Sequence, residues 1–194
     1  MSKKVQSPRV EKFTTSAGIR IYRLRIEAFP NFFVFTYLVL GGDVPTLIDS
    51  GSGMEQSNED LRTAFERLKS DFGETIALED IGRILIAHGH MDHFGGLMFL
   101  REQVEAPIGV HALDRRILTH YEERVIVATK SLHVFLCWAG LSETSQMSLI
   151  EMYQFGKGFY RSVPVDITIE EGETIGDLFE FIHVPRHCPG QVCI

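Results

Sequence analysis

Short segments of hydrophobic residues, separated by turn residues, dominate the first half of the chain. Residues 19–26 largely alternate between apolar and polar side chains, which predicts a strand. Ile19 and Ile21 share one phase of the alternation, whereas Leu24 and Ile26 share the other. Either a bulge separates the two pairs, or both faces of the strand are partly buried.

A near-continuous apolar run follows from Phe33 to Leu40. Its aromatic and β-branched residues predict a strand that is buried on both faces. Gly41-Gly42-Asp43 is typical of a hairpin turn. Residues 46–48 then predict a further strand, which ends at Asp49-Ser50-Gly51.

Helical periodicity appears between residues 61 and 72. Leu61, Phe65, Leu68 and Phe72 are spaced four, three and four positions apart, as expected for one face of an amphipathic helix. Gly73 stands where a glycine C-cap is common. The spacing therefore predicts a helix that ends near residue 72.

The remainder of the chain combines predicted strands with predicted helices. Strands are predicted at 83–87, 107–111, 165–169 and 179–184, a short helix after Gly95-Gly96 through Val104, and a helical block from Leu113 to about Tyr160. Phe135, Leu136 and Trp138 are the expected apolar anchors of the block. This order predicts an α/β layered fold, one domain over residues 1–194 with a helical insertion at about 113–160.

Composition narrows the class of protein. The chain has 194 residues, 44% of them hydrophobic and 23% charged, which is ordinary for a globular domain. A net charge of −7 argues against nucleic acid as a partner. Residues 1–18 lack the apolar core of a secretory signal, and no apolar run is long enough to span a bilayer. We therefore expect a cytoplasmic protein with no membrane partner and three free cysteines.

The most informative segment is His88-Gly89-His90-Met91-Asp92-His93, directly after the apolar residues 84–87. Imidazole and carboxylate are ligands of zinc and related divalent ions. Packed closely at the end of a buried strand, these polar side chains would be costly without a bound cation. Alternate residues of an extended segment project to one side, so His88 and His90 can meet one ion. The segment therefore predicts a metal site.

This pattern resembles the metallo-β-lactamase superfamily, whose signature is His-x-His-x-Asp-His. Three further segments resemble family motifs in the same order along the chain: Thr46–Gly51, Phe94–Gly96 and His183–Gly190. The resemblance spans about residues 19–194, apart from the helical block. It implies an αββα four-layer sandwich with the metals at the edge between the two sheets.

The resemblance also implies roles for particular residues. His88, His90 and His187 would form a first metal site, and Asp92 and His93 would contribute to a second. The implied cofactor is Zn²⁺, two ions in the complete protein, with iron or manganese as alternatives. Asp92 is the expected catalytic residue, which orients the nucleophile and accepts its proton. The second ring nitrogens of His88, His90 and His187 need hydrogen-bond partners, and Asp49 is either such a partner or a turn cap.

The chain departs from the family pattern at two places. Arg186 stands where glycine usually precedes the third histidine, and would strain the loop if that position requires a positive φ. Cys188 stands where threonine is common. In addition, the family pattern continues to a metal-bridging aspartate and a final histidine, which have no counterpart before Ile194. We therefore expect an N-terminal portion of a longer domain.

The expected function is hydrolysis of a small acyl substrate, such as a thioester, lactone or similar ester, by a zinc-activated hydroxide. An iron-dependent oxidoreductase or dioxygenase of the same fold is one alternative, and a non-catalytic metal-binding member is another. The helical block would cover the site, where Phe135 and Trp138 either line the substrate pocket or form the block's own core. We expect structural roles for His111, His120 and His133, and for His183 a hydrogen bond near the metals.

Overall fold

The computed structural model describes residues 9–194, and its centre is a seven-stranded sheet in which the strands lie in chain order. The strands are β1 (Val10–Thr14), β2 (Arg20–Phe29), β3 (Phe32–Leu40), β4 (Thr46–Ile48), β5 (Arg83–Ile86), β6 (Ile108–His111) and β7 (Ile167–Ile169). Strands β1 to β4 pair antiparallel, and β4 to β7 pair parallel. The carboxyl ends of β4, β5 and β6 therefore lie at one edge, where the candidate metal ligands of the first loop follow β5.

Strand β2 is partly buried on both faces. Tyr22, Leu24 and Ile26 are completely buried in the core on the helical side, whereas Ile19 and Ile21 pack on the opposite side. The irregularity in the pairing of β2 with β3 lies at Glu27–Phe29, not between the two apolar pairs. Burial on two faces, rather than a bulge, therefore explains the change of phase in the sequence.

The prediction that β3 is buried on both faces is wrong for its first half. Leu38, Val39 and Leu40 are buried, but Phe32 and Phe33 are exposed. The guanidinium of Arg25 lies 3.7 Å from the centre of the Phe33 ring. A neighbouring cationic side chain, not a second layer of the protein, covers this aromatic ring.

The helices begin with α1 and are concentrated between the parallel strands. They are α1 (Glu55–Phe72), α2 (Met91–Phe94), α3 (Leu97–Arg101), α4 (Ala112–Thr119), α5 (Tyr121–Trp138) and α6 (Glu143–Lys157), with a 3₁₀ turn at Leu78–Asp80. Helix α1 buries Leu61, Phe65 and Leu68 against the sheet and ends at Gly73, which has a φ of 70°. The predicted helix and its glycine cap are confirmed.

Helices α4 to α6 lie between β6 and β7, where the sequence predicts a helical block. Of its three expected anchors, only Leu136 is buried; Phe135 is 61% exposed and Trp138 is 85% exposed. Neither aromatic ring therefore forms part of the block's core. The assignment of the whole chain to one domain stays a prediction.

Four short strands follow β7 and form two small antiparallel sheets. The strands are β8 (Thr174–Ile175), β9 (Phe179–Glu180), β10 (Ile182–His183) and β11 (Val192–Cys193), so the predicted strand at 179–184 is divided in two. Phe179, Phe181 and Val192 pack with Val39 and Leu85 of the large sheet, on the face opposite α1. The α/β fold class is confirmed, and these strands occupy the side that the sandwich assigns to a second sheet.

Within the described residues, no helix has the length and apolar character needed to cross a bilayer.

Candidate metal centre

The first ligand loop is short because β5 ends at Ile86 and α2 already begins at Met91. His90 is the N-cap residue of α2 and retains an extended backbone, with φ −95° and ψ 148°. His88 is only 5% exposed, whereas His90 is half-buried. The end of the buried strand thus places both imidazoles beside the sheet edge.

Three histidines converge in the structure. One ring nitrogen from each of His88, His90 and His187 lies within 4.8 Å of the other two. Nδ1 of His90 is 2.8 Å from Nε2 of His187. Nε2 of His88 is buried and has no hydrogen-bond partner among the described residues. A buried, unpaired imidazole nitrogen that faces two others fits a divalent cation such as zinc or iron.

The electrostatics favour the metal-binding form of this cluster. Burial, and then the neighbouring His93 and His90, lower the pKa of His88 to about 4. Burial also lowers the pKa of His90, and the nearby His187 lowers it further. Both imidazoles are therefore neutral at pH 7, with lone pairs available to a cation.

Asp92 and His93 lie next to the three histidines but outside their cluster of ligand atoms. The ring centres of His88 and His93 are 3.9 Å apart. Oδ2 of Asp92 is 3.5 Å from Nε2 of His93. These two side chains thus form an adjacent pair of potential ligands, and their part in metal binding stays a prediction.

Asp49 is a hydrogen-bond partner of His93, and not of His88, His90 or His187 as expected. Its buried carboxylate accepts a hydrogen bond from the amide of Ala87 at 2.8 Å and lies 2.7 Å from Nδ1 of His93. Burial lowers the pKa of His93, but the hydrogen bond to Asp49 and the charges of Asp49 and Asp92 together outweigh it and leave that pKa raised. With the proton on Nδ1, Nε2 of His93 faces Asp92 and is free for a ligand.

The glycines after the first ligand loop permit a close backbone contact. A Cβ at Gly96 would lie 2.0 Å from the carbonyl oxygen of Ser50. Ser50 donates hydrogen bonds to the carbonyl oxygen of His93 from its amide at 2.7 Å and its hydroxyl at 2.8 Å. The turn after β4 therefore supports the His93 end of the loop.

Asp114 connects the two ligand loops, and the sequence did not identify it. It lies in the first turn of α4 and is completely buried. Its carboxylate accepts hydrogen bonds from the amides of Gly89 at 2.7 Å and Gly190 at 2.8 Å, and from the thiol of Cys188 at 3.1 Å. Only its position just after a predicted buried strand could have drawn attention to it.

The remaining predicted residues lie at the periphery. Arg186 is exposed and is not among the residues with positive φ, so it does not strain its loop. His111 accepts a hydrogen bond from the amide of Leu113 and caps α4, as expected for a structural residue. His183 stacks on His111 at 4.3 Å, and its Nε2 lies 2.7 Å from the carbonyl oxygen of Pro189. His183 therefore supports the loop that carries His187.

A cavity of about 320 Å³ opens beside the cluster. The segment from Gly89 to Phe94, which includes His90 and Asp92, lines it together with residues of α4, α5 and α6. Phe135 and Trp138 are not among its lining residues, so neither expected role of these rings is observed. A larger apolar cavity, of about 600 Å³, lies on the opposite face of the sheet and reaches the site only at Asp49 and Ala87.

Comparison with known proteins agrees with this geometry. The family model described as the metallo-beta-lactamase superfamily matches residues 30–194. A metallo-beta-lactamase family protein from Thermus thermophilus superposes with a TM-score of 0.67 at 20% identity, over 89% of this chain and 54% of that one. A subclass B3 metallo-beta-lactamase of Bradyrhizobium japonicum gives 0.59 at 19% identity, over 98% and 57%.

These structural similarities establish a shared fold, and the chain spans just over half the length of both neighbours. The family match covers most of the sequence, from the turn before β3 to the last residue, and includes both ligand loops. The chain therefore belongs to the metallo-beta-lactamase superfamily.

Proposed function

We propose that the protein is a zinc-dependent hydrolase that cleaves a small acyl substrate such as a thioester, lactone or ester. The observation that carries this proposal is the convergence of His88, His90 and His187, in which one buried nitrogen has no partner in the part of the chain that the structure describes. Membership of a superfamily rich in metallo-hydrolases supports it.

In this proposal the three histidines hold the first ion, and Asp92 and His93 contribute to a second. Zinc, when bound, would lower the pKa of a water ligand to about 7 and so supply hydroxide at neutral pH. Asp92 lines the cavity, and in this proposal its carboxylate orients the attacking water and accepts its proton. Asp49 keeps the proton of His93 on Nδ1, away from the site.

The cavity beside His90 and Asp92 supports a small substrate. Its volume of about 320 Å³ is at the lower end of the range for small-molecule sites. The net charge of −7 does not favour a polyanionic substrate such as nucleic acid. A small-molecule substrate and a cytoplasmic location are part of the same proposal.

Asp92→Ala tests the catalytic role of the carboxylate. We expect hydrolysis of an active thioester or ester to fall by roughly 10²–10⁴-fold, the usual contribution of a general acid or base. The measurement is kcat and KM of the zinc-loaded protein, with metal content determined on the same samples. Asp71→Ala, at the exposed end of α1, is the control and should retain full activity.

Two results would contradict the proposal. Equal turnover by the Asp92→Ala protein would remove Asp92 from the mechanism. Stoichiometric iron with negligible zinc after purification, together with oxygen consumption, would favour an iron-dependent oxidoreductase instead, because imidazole ligands bind both metals.

A further inference from the structure

We propose that Arg124 and Lys157 form an anion-binding subsite in the cavity beside the metal centre, so that the substrate carries a carboxylate at the end remote from the bond that is cleaved. Both side chains line the cavity of about 320 Å³, together with His90 and Asp92. The inference rests on the proposed hydrolase for the reaction, and it adds that the substrate is negatively charged.

The two cations are not neutralised by the protein. Among the described residues, neither Arg124 nor Lys157 takes part in an ion pair, although the chain is acidic overall. The nearest acidic residues in sequence are engaged elsewhere: Glu122 bonds to Ser162, and Glu123 pairs with Arg116. Asp92 is the only acidic residue among the described residues that line the cavity.

Lys157 is half-buried, although it has no carboxylate partner. Its ammonium lies 4.9 Å from the centre of the Tyr153 ring, a contact that stabilises a cation only modestly. Burial lowers the pKa of Lys157, which reflects the cost of removing its charge from water. An anion bound in the cavity would offset that cost.

The cavity is lined from two parts of the fold, the first ligand loop and the helical insertion. His90 and Asp92 lie on the metal side, whereas Arg124 and Lys157 come from α5 and α6. An acyl group at the metal side and a carboxylate at the helical side would thus occupy one cavity. The helical insertion, on this basis, determines specificity.

A matched pair of substrates tests the subsite. The 4-nitrophenyl monoester of glutarate and the corresponding ester with a terminal carboxamide differ only in the remote charge. For the zinc-loaded protein, we expect the ratio of kcat/KM for the anionic over the neutral ester to fall roughly 10-fold in Lys157→Gln and in Arg124→Gln, as for loss of a charge-assisted hydrogen bond. Lys130→Gln, an exposed lysine on α5 that does not line the cavity, is the control and should keep the wild-type ratio.

Lys157 lies in the last turn of α6, where a cation also interacts favourably with the helix dipole. If that were its only role, Lys157→Gln would lower the thermal stability and leave the substrate ratio at the wild-type value. That result, or a wild-type substrate ratio in the Arg124→Gln protein, would overturn the proposed subsite. Neither result would contradict the proposed hydrolase.

A binding measurement separates the two proposals if neither ester is hydrolysed. N-acetylglycine and N-acetylglycinamide are titrated into the zinc-loaded protein, and amide NMR shifts are followed around the cavity. We expect N-acetylglycine to bind more tightly than the amide, and Lys157→Gln to remove most of that preference. Binding without hydrolysis would reject the acyl hydrolase and retain the subsite; equal binding of both probes by wild type and variant would reject the subsite.

Discussion

The carboxylate of Asp114 bridges the two ligand loops. It bonds to Gly89, between His88 and His90, and to Gly190, in the loop that carries His187. A Cβ at Gly190 would lie 2.5 Å from Cγ of Asp114, so glycine is needed for this approach. Side chains that hydrogen-bond to the segments carrying metal ligands hold those ligands in position before the ion binds.

Asp114→Asn should therefore weaken metal binding, although Asp114 is not one of the predicted metal ligands. An amide has only one acceptor oxygen, and its NH₂ group would face a backbone donor that Asp114 now satisfies. We expect zinc affinity to fall roughly 10–100-fold, measured by competition with a chelator. Asp60→Asn is a matched control, because Asp60 also accepts a backbone hydrogen bond, from Glu27, away from the site.

The two variants distinguish orientation from general stability. We expect both to lower the free energy of unfolding, and only Asp114→Asn to change zinc affinity and the visible spectrum of the Co²⁺-substituted protein. Wild-type zinc affinity in Asp114→Asn would show that the loops do not depend on this carboxylate.

At the residue scale, the sequence indicated the ligands that follow one strand directly. His88 and His90 stand together in the chain, whereas His187 was found only through the family resemblance. Asp114, Arg124 and Lys157 were not identified, because their significance arises from contacts between distant segments. A pattern along the chain does not report such contacts.

Among the secondary-structure elements, Glu74 connects α1 to β2. It follows the C-cap of α1, and its carboxylate accepts hydrogen bonds from the hydroxyl of Tyr22 and from Nε of Arg20. Burial would raise the pKa of Glu74, but these hydrogen bonds outweigh it and hold that pKa below its ordinary value. The ionised carboxylate thus stabilises the packing of the helix on the sheet.

Glu74→Gln should destabilise the protein by about 1–2 kcal/mol at pH 7, as for loss of charge-assisted hydrogen bonds. Since the folded-state pKa is lowered, the wild-type advantage is fully present above the ordinary pKa of 4.5 and is lost as the pH falls below it. Chemical unfolding at several pH values measures the difference. Glu79→Gln, at an exposed position on the 3₁₀ turn, should show little effect. A difference between Glu74→Gln and wild type that does not shrink at low pH would contradict this account.

Periodicity predicted elements well where one face is buried and poorly where it is not. The stripe of α1 gave the correct helix, since Leu61, Phe65 and Leu68 all face the sheet. Strand β1 was missed, because Val10 is its only buried residue. In α5 the apolar residues occur on all sides, so the sequence could not show that Leu136 is buried while Trp138 is exposed.

For the whole molecule, the order of elements determines where the chemistry lies. Strands β4, β5 and β6 are parallel and adjacent, so their following loops meet at one edge. Asp49, His88 and Asp114 lie just after these three strands, and His187 lies between β10 and β11 on the other face. The sequence predicted the α/β class and this edge, but not the cavity that α4, α5 and α6 form beside it.

The hydrogen bond from the Cys188 thiol to Asp114 affects the reactivity of that thiol. Cys188 is buried, whereas Cys137 and Cys193 are exposed. Burial, and then Asp114, raise the pKa of the Cys188 thiol to about 11, which suppresses the reactive thiolate. We expect a disulfide reagent to modify Cys137 and Cys193 rapidly and Cys188 slowly, with the number of modified cysteines followed by mass spectrometry. Equal rates for all three cysteines would contradict this expectation.

Because Cys188 is the residue after His187, its slow labelling would time the transient opening of the segment that carries the third imidazole. In a protein with Cys137→Ser and Cys193→Ser, every labelling event would record one such opening. Added zinc should slow the labelling further, since a bound ion holds His187 closed. The labelling rate of Cys188 would thus report on the opening of the segment that carries His187.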